Sequence, residues 1–369
     1  MIPGFATGEG TSRYRTRRVP PAALGHFRTT RGLQVSSIGV GTYLGEDDDA
    51  TDRAYRSAVG LAVQSGINLI DSAINYRHQR SERAVGAALR SLIESGIVER
   101  EEIVVATKGG FIPFDGGAPA NPTEYILQRY VRSGIASPKD IAGGGHCLAP
   151  RYLADQLDRS RANLGLDTID VYYLHNPETQ RSAVDEPAFV GRMRAAFEFL
   201  EEAVSDGRIR WYGTATWNGY RQPRTAADFL SLAELVGLAC EIAGDAHHFR
   251  WLELPYNLAM TEAFTLANQP LGSDTVTLLE AASQLDVYVT TSASIYQGQL
   301  ARNLPPIVAK FLPGLESDAQ RALQFVRSTP GVGTALVGMR QERHVRENAR
   351  VSDVSPLPWD EFQKLFSAA

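Results

Sequence analysis

Short apolar runs recur along the chain, at 37–42, 67–70, 103–107, 169–174, 209–214, 249–254, 287–293 and 334–337. Each has the length of a strand, and several are apolar at successive positions, the pattern of a parallel strand buried on both faces. Between them the periodicity changes to that of helices. Phe189, Met193, Phe197, Leu200 and Val204 follow one another at helical intervals and form one apolar stripe, with Gly207 as its stop. Tyr152, Leu153, Gln156, Leu157, Ser160 and Leu164 form a second stripe, and Ala54, Ala58, Leu61, Ala62 and Ser65 a third that ends at Gly66. Ser317 with Gln320 reads as a capping box opening a helix that carries Ala319, Leu323 and Val326. Thr329-Pro330 closes that helix.

Strands alternating with helices, with no break in composition, predict an α/β fold: a single (β/α)8 TIM barrel over 31–369. An N-terminal β-hairpin is expected ahead of it. A doubly wound sheet would need Gly-x-Gly-x-x-Gly at a strand–helix turn. The nearest match, Gly39-Val-Gly41-Thr-Tyr-Leu-Gly45, misses its last glycine by one position. A long insertion follows the third run, at 109–149, rich in Gly and Pro and carrying Phe111, Phe114, Tyr125 and Tyr130. Such a segment in a compact domain is expected to be a functional loop or lid, with a short helix near 122–133.

Charge and cysteine content narrow the class. The net charge of −5 offers no basic footprint for nucleic acid. No apolar run reaches the roughly 18 residues that a membrane span needs. Cys147 and Cys240 have no paired metal-ligand spacing, and two thiols in 369 residues read as a reduced, cytoplasmic protein. Residues 1–30 carry Arg13, Arg15, Arg17, Arg18 and Arg28 against one acid, Glu9. They are compatible with a transit peptide and read more simply as a surface-draped tail.

In a parallel barrel the active site forms at the C-terminal ends of the strands. The second run ends at Asp71, with Tyr76 five residues on; the third ends at Lys108 and the fourth at His175. Three consecutive strands thus deliver a carboxylate, an ammonium and an imidazole to one rim beside a phenol. A phenol is a weak acid at neutral pH, and a neighbouring ammonium stabilises its phenolate. A carboxylate keeps that ammonium charged despite burial, and an imidazole can orient a substrate oxygen. Taken singly, each residue also reads as an ordinary cap, solvated charge or packed ring. His247-His248 reads as a surface or cap pair, and His146-Cys147 as structural residues of the insertion.

These residues lie in segments that resemble the aldo-keto reductase family: Gly39-Val-Gly-Thr-Tyr43, Leu69-Ile-Asp-Ser-Ala-Ile-Asn-Tyr76, Ser81-Glu82, Val105-Ala-Thr-Lys108 and Asp170-Val-Tyr-Tyr-Leu-His175. Further matches are Asp206-Gly-Arg-Ile-Arg-Trp-Tyr-Gly213, Pro255-Tyr-Asn257, Val337-Gly-Met-Arg340 and Glu347-Asn348, in the family's order. The resemblance implies hydride transfer between a nicotinamide cofactor and a small carbonyl or alcohol, including a sugar lactol. Tyr76 is then the acid/base, tuned by Lys108, anchored by Asp71 and assisted by His175. It also implies cofactor contacts from Gly41, Thr42, Tyr43 and Asp71 at the barrel mouth.

Several family positions differ. Ala215-Thr216 stands where a Ser-Asn pair holds the nicotinamide carboxamide, and Glu253 stands where a Gln does. Near the ring, an ionised Glu253 would favour its oxidised, positively charged form. Ser292 replaces a stacking aromatic, leaving Trp217 or Tyr296 for that role. Arg340, Arg343 and His344, with Glu347 and Asn348, are expected around the adenosine end, favouring NADP(H) over NAD(H), although Gly338 replaces the family's usual lysine. Arg77 and His78 are candidates to face a polar substrate. The alternative is a non-catalytic NADPH-binding sensor, like the potassium-channel β-subunits that share this barrel. Monomers and oligomers both occur in the family, so the oligomeric state stays open.

Overall fold

All eight apolar runs are strands of one closed parallel barrel in the computed structural model, which describes residues 1–18 and 20–367. The strands are β1 (Ile38–Gly41), β2 (Leu69–Asp71), β3 (Val104–Gly109), β4 (Ile169–His175), β5 (Ile209–Ala215), β6 (Phe249–Pro255), β7 (Tyr288–Ser292) and β8 (Val332–Gly338). Each pairs with its sequence neighbours, and β8 closes on β1. A helix follows each strand: α1 (Asp49–Gln64), α2 (Arg80–Glu94), α3 (Pro150–Leu164), α4 (Glu186–Ser205), α5 (Leu232–Ala243), α6 (Leu278–Gln284), α7 (Asp318–Ser328) and α8 (Glu342–Ala349). The expected capping box is present, with the Ser317 hydroxyl accepting from Gln320 N at the start of α7.

The barrel interior is packed rather than hollow. Leu69, Val104, Ala106, Val171, Tyr173, Ala215, Trp251 and Leu336 fill it, while a larger apolar shell lies between strands and helices. Gly213 is required at its position: a Cβ there would lie 1.7 Å from the Trp251 carbonyl oxygen, where the β5–β6 register shifts.

The N-terminal segment departs from the expected tail. Residue 19 lies outside the described residues, but the others form a folded plug on the barrel's N-terminal face. Thr7 caps a helix at Gly8–Arg17, and the hairpin Phe27–Thr30 with Leu33–Ser36 follows it. Ala6 N donates to Asp170 Oδ1 at 2.7 Å, and Ala6, Leu33 and Val35 seal the interior from below. Asp170 also accepts from Arg100 at 2.7 Å and from Val105 N at 2.8 Å. Three of the arginines in this segment are ion-pair partners, Arg13 of Glu101, Arg17 of Glu102 and Arg18 of Asp353. Long-range contacts order a polar segment that its own periodicity does not explain.

Tyr14 anchors this helix. Its ring is buried, stands edge-on to Phe27 at 6.1 Å, and its hydroxyl donates to Val63 O. Tyr14→Ala is expected to lower stability by about 3–5 kcal/mol, the usual cost of deleting a buried aromatic ring. Chemical denaturation checks this, and a loss below about 1 kcal/mol would mean that the plug adds little to the barrel.

The insertion after β3 is structured. A helix at Pro122–Ile126 widens into a looser turn at Leu127–Val131, and Ile141–Ala142 pairs with His146–Cys147. A second hairpin, Ala267–Leu271 with Asp274–Thr277, was not apparent from the pattern of apolar residues.

Candidate active site

The strand register brings the predicted residues to one rim. Asp71 pairs level with Ala106 on β3, and Lys108, two residues further on, points to the same inner face. Lys108 pairs with Tyr173, so His175 is likewise inward, level with Ala215, which is in turn level with Glu253. Tyr76 enters from the loop after β2.

Lys108 is the centre of the arrangement and is fully buried. Its Nζ binds Asp71 Oδ1, donates to Ser72 O at 3.1 Å, and lies 3.2 Å from Glu253 Oε2. The same Nζ is 5.2 Å from the centre of the Tyr76 ring and 5.8 Å from that of Tyr173. Burial works against the ammonium, but Asp71 and Glu253 outweigh it, so Lys108 is held charged well above its ordinary range. Burial and the neighbouring Glu253 carboxylate push Asp71 upward, against the pull of Lys108. For the half-buried Tyr76 burial raises the phenol, and Lys108 opposes it without reversing the sign. Lys108 thus lowers the phenol as expected, while burial, and after it the Asp71 and Glu253 carboxylates, act in the opposite direction.

His175 closes the other side. Its ring stands edge-on to Tyr76 at 5.8 Å and to Phe111 at 5.1 Å. Burial first, then the charge of Lys108 and the neighbouring His146, hold it well below the ordinary imidazole value, so it is neutral. A neutral ring keeps one N–H donor for a substrate oxygen. The insertion braces this residue: His146 Nε2 lies 2.6 Å from His175 O, and Gln180 lies 2.9 Å from His146 Nδ1. His146 is a buried support, in line with its structural reading.

Arg77, His78 and Gln79 follow Tyr76 with φ of 47°, 52° and 73°, one left-handed turn built without glycine. Such backbone is costly for residues with a Cβ and persists where the surroundings hold it. Buried Arg77 does so here, bonding Glu46 O at 2.8 Å and Asp52 at 2.6 Å. Arg77 thus points away from the mouth, while His78 pairs with Asp47 at 3.1 Å and packs on Phe114.

The expected cofactor contacts divide. Gly41 ends β1 at the rim beside Asp71, and Tyr43 is exposed with its ring edge-on to Tyr76 at 5.0 Å. Thr42 sits below the rim. It is fully buried, its hydroxyl donates to Asp71 O and Ser72 Oγ at 3.0 Å, and its side chain supports the rim from beneath. Thr216 Oγ1 and Asn348 Oδ1 are buried and have no hydrogen-bond partner, as suits groups awaiting a ligand. His344 is partly buried, and burial together with Arg343 lowers it; Arg302 and Arg340 add to the same positive field. None of Arg302, Arg340 and Arg343 has an acidic partner among the described residues. Glu347 lies on α8, where its carbonyl accepts from Gln320 at 2.7 Å.

The structure adds one residue to the site and gives another, Glu253, a second partner. Glu178, three residues after His175, is buried and accepts from Trp217 N at 2.6 Å and Asn218 N at 3.1 Å, fixing the loop after β5. Glu253 turns to Lys108 as a second carboxylate. The available signal was its place as the one charge within Trp251-Leu-Glu-Leu-Pro255, on the same strand face as Trp251.

The sequence model of the aldo/keto reductase family matches residues 37–232, more than half of the chain. An uncharacterized oxidoreductase, YqkF of Bacillus subtilis, is 22% identical over 92% of this chain and 94% of its own length. A probable voltage-gated potassium channel subunit beta of rice is 24% identical over 88% of this chain and 90% of its own. Among solved structures, an aldo-keto reductase of Bacillus halodurans in its holo form superposes with a TM-score of 0.62 at 21% identity, over 93% of this chain and 95% of that one. An aldo/keto reductase of Klebsiella pneumoniae in complex with NADP and acetate gives 0.59 at 20%, over 94% and 95%. The barrel, the rim constellation and the family match converge: the chain belongs to the aldo/keto reductase family.

Proposed function

We propose that this protein is an NADP(H)-dependent reductase of small carbonyl compounds, an aldehyde, ketone or sugar lactol, with Tyr76 as its general acid/base. The observation that carries the reading is Lys108, fully buried, bonded to Asp71 and set 5.2 Å from the Tyr76 ring. Neutral His175 stands across that ring and can donate to the substrate oxygen. Tyr76 then gives its phenolic proton to that oxygen, and the ammonium stabilises the phenolate left behind.

The chain's residues fit a nicotinamide dinucleotide. Thr216 Oγ1 and Asn348 Oδ1 are buried and unpartnered, and Arg302, Arg340 and Arg343 lie near His344 with no ion-pair partner among the described residues. Thr216 would hold the nicotinamide end, Asn348 and Glu347 the adenine, and the arginines a phosphate on the ribose. The cofactor supplies or accepts the hydride. The relative in complex with NADP agrees with this preference.

Fluorescence titration with NADPH and NADH, followed by a panel of aldehydes, ketones and sugars, tests the reading. NADPH is expected to bind more tightly. Replacing Arg340 and Arg343 together by alanine should weaken NADPH about a hundredfold or more, since each bond to a charged phosphate contributes about 1.5–3 kcal/mol. NADH affinity should change little. Equal losses for both nucleotides would show that the arginines do not read a phosphate. Tight binding without turnover on any panel member would favour the sensor reading, which the potassium channel relatives motivate.

A further inference from the structure

Asp71 and Glu253 reach the same ammonium from opposite sides of the barrel mouth. Asp71 Oδ1 binds Lys108 Nζ directly, and Glu253 Oε2 lies 3.2 Å from it. Only 3% of Asp71 and 4% of Glu253 remain exposed. The other oxygen of Asp71, Oδ2, is buried with no hydrogen-bond donor. Both carboxyls therefore bear on one buried ammonium.

Counting charge makes this arrangement unusual. The groups that face Glu253 are Asp71 from β2, Lys108 from β3, Tyr173 from β4, and Tyr76 from the loop after β2. His175, also on β4, is neutral. Lys108 is thus the sole positive group of the cluster, set against two carboxyls. With both ionised, this nearly buried pocket would hold one uncompensated negative charge, a costly state. Two carboxyls in one buried site relieve this by keeping a proton between them.

We propose that Asp71 and Glu253 hold one shared proton beside Lys108, so that Glu253 sets the charge against which Tyr76 works. Glu253 is then a positioning residue for charge, rather than only a contact for the nicotinamide. The consequence for Tyr76 rests on its role as the acid. When Tyr76 protonates the substrate oxygen, the new phenolate faces an ammonium opposed by one carboxylate instead of two. The shared proton does not move in that step. It keeps the phenol a usable donor, and its loss at alkaline pH would add a second negative charge and make the phenol a poorer one.

Infrared spectroscopy of the full chain without cofactor tests the shared proton without relying on turnover. Wild-type protein, Glu253→Gln and Asp71→Asn are compared at neutral pH, in water and in deuterium oxide. The expected result is a protonated-carboxyl stretch, equivalent to one carboxyl per chain, that shifts in deuterium oxide and disappears in each single variant. Each variant leaves one carboxylate for Lys108, which has no need of a proton. Buried Glu82 and Glu178 are common to all three proteins and cancel in the difference spectra. If a variant fails to fold, alkaline titration of the wild-type chain should remove the same band. A band that survives both replacements, or no band in the wild type, overturns the proposal. That outcome would leave the reductase reading standing, because turnover in Tyr76→Phe is measured independently.

Discussion

Tyr76→Phe is expected to lower carbonyl reduction by about 10²–10⁴-fold, the contribution of a positioned general acid. The change removes one oxygen and keeps the ring. The edge contacts with Tyr43 at 5.0 Å and His175 at 5.8 Å use the ring and should persist. Binding of NADPH, followed by fluorescence, should therefore stay within a few-fold of wild type while kcat collapses. Burial pushes the wild-type phenol above its ordinary value, so Tyr76 keeps its proton across the neutral range. Reduction by the wild-type protein should accordingly show no loss from phenol ionisation below about pH 10. Retention of the wild-type rate within about tenfold in Tyr76→Phe would remove Tyr76 from the chemistry and leave His175 as the remaining donor.

The parts legible in the sequence are those governed by local pattern. Buried parallel strands read as continuous apolar runs, so all eight could be found, and the rim residues followed from the rule that such barrels work at their strand ends. Asp71, Lys108 and His175 each terminate a run, which is a local signal. What stayed hidden depends on partners far along the chain. Helix Gly8–Arg17 is mostly polar and is ordered by Val63, Glu101 and Glu102, beyond the reach of periodicity. Thr42 and Tyr43 are adjacent, and only the end of β1 decides which one is swallowed by the core. Nothing in Arg77-His-Gln79 announces a left-handed turn; the buried guanidinium and its acceptors on the loop before α1 impose it. Glu253 was recognised as a site residue, but its partner was not. That partner is set by the lateral order of four strands and by the competition of charges in a closed space.

The competition also predicts a large loss of stability. Lys108→Met keeps the length and apolar stem of the side chain but leaves Asp71 and Glu253 facing each other without a cation. Removing one partner of a buried ion pair typically costs about 3–5 kcal/mol, because the remaining charge is stranded. The loss should depend on pH in a definite sense. Burial and Glu253 already raise Asp71 above its unfolded value, and Lys108 is what opposes them. Without Lys108 the carboxyl rises further and folds more readily with its proton on. Its contribution is then fully present below the unfolded carboxylate value, about 4, and is lost as pH climbs through the raised folded value. The stability gap between wild type and Lys108→Met should therefore be smallest in acid and widen toward neutral pH, and denaturant titrations at several pH values would measure it. Adding Glu253→Gln to Lys108→Met should narrow the neutral-pH gap, since one stranded carboxyl remains instead of two. A gap independent of pH would mean that the lysine acts by packing alone, and the charge balance drawn around it would fail with that result.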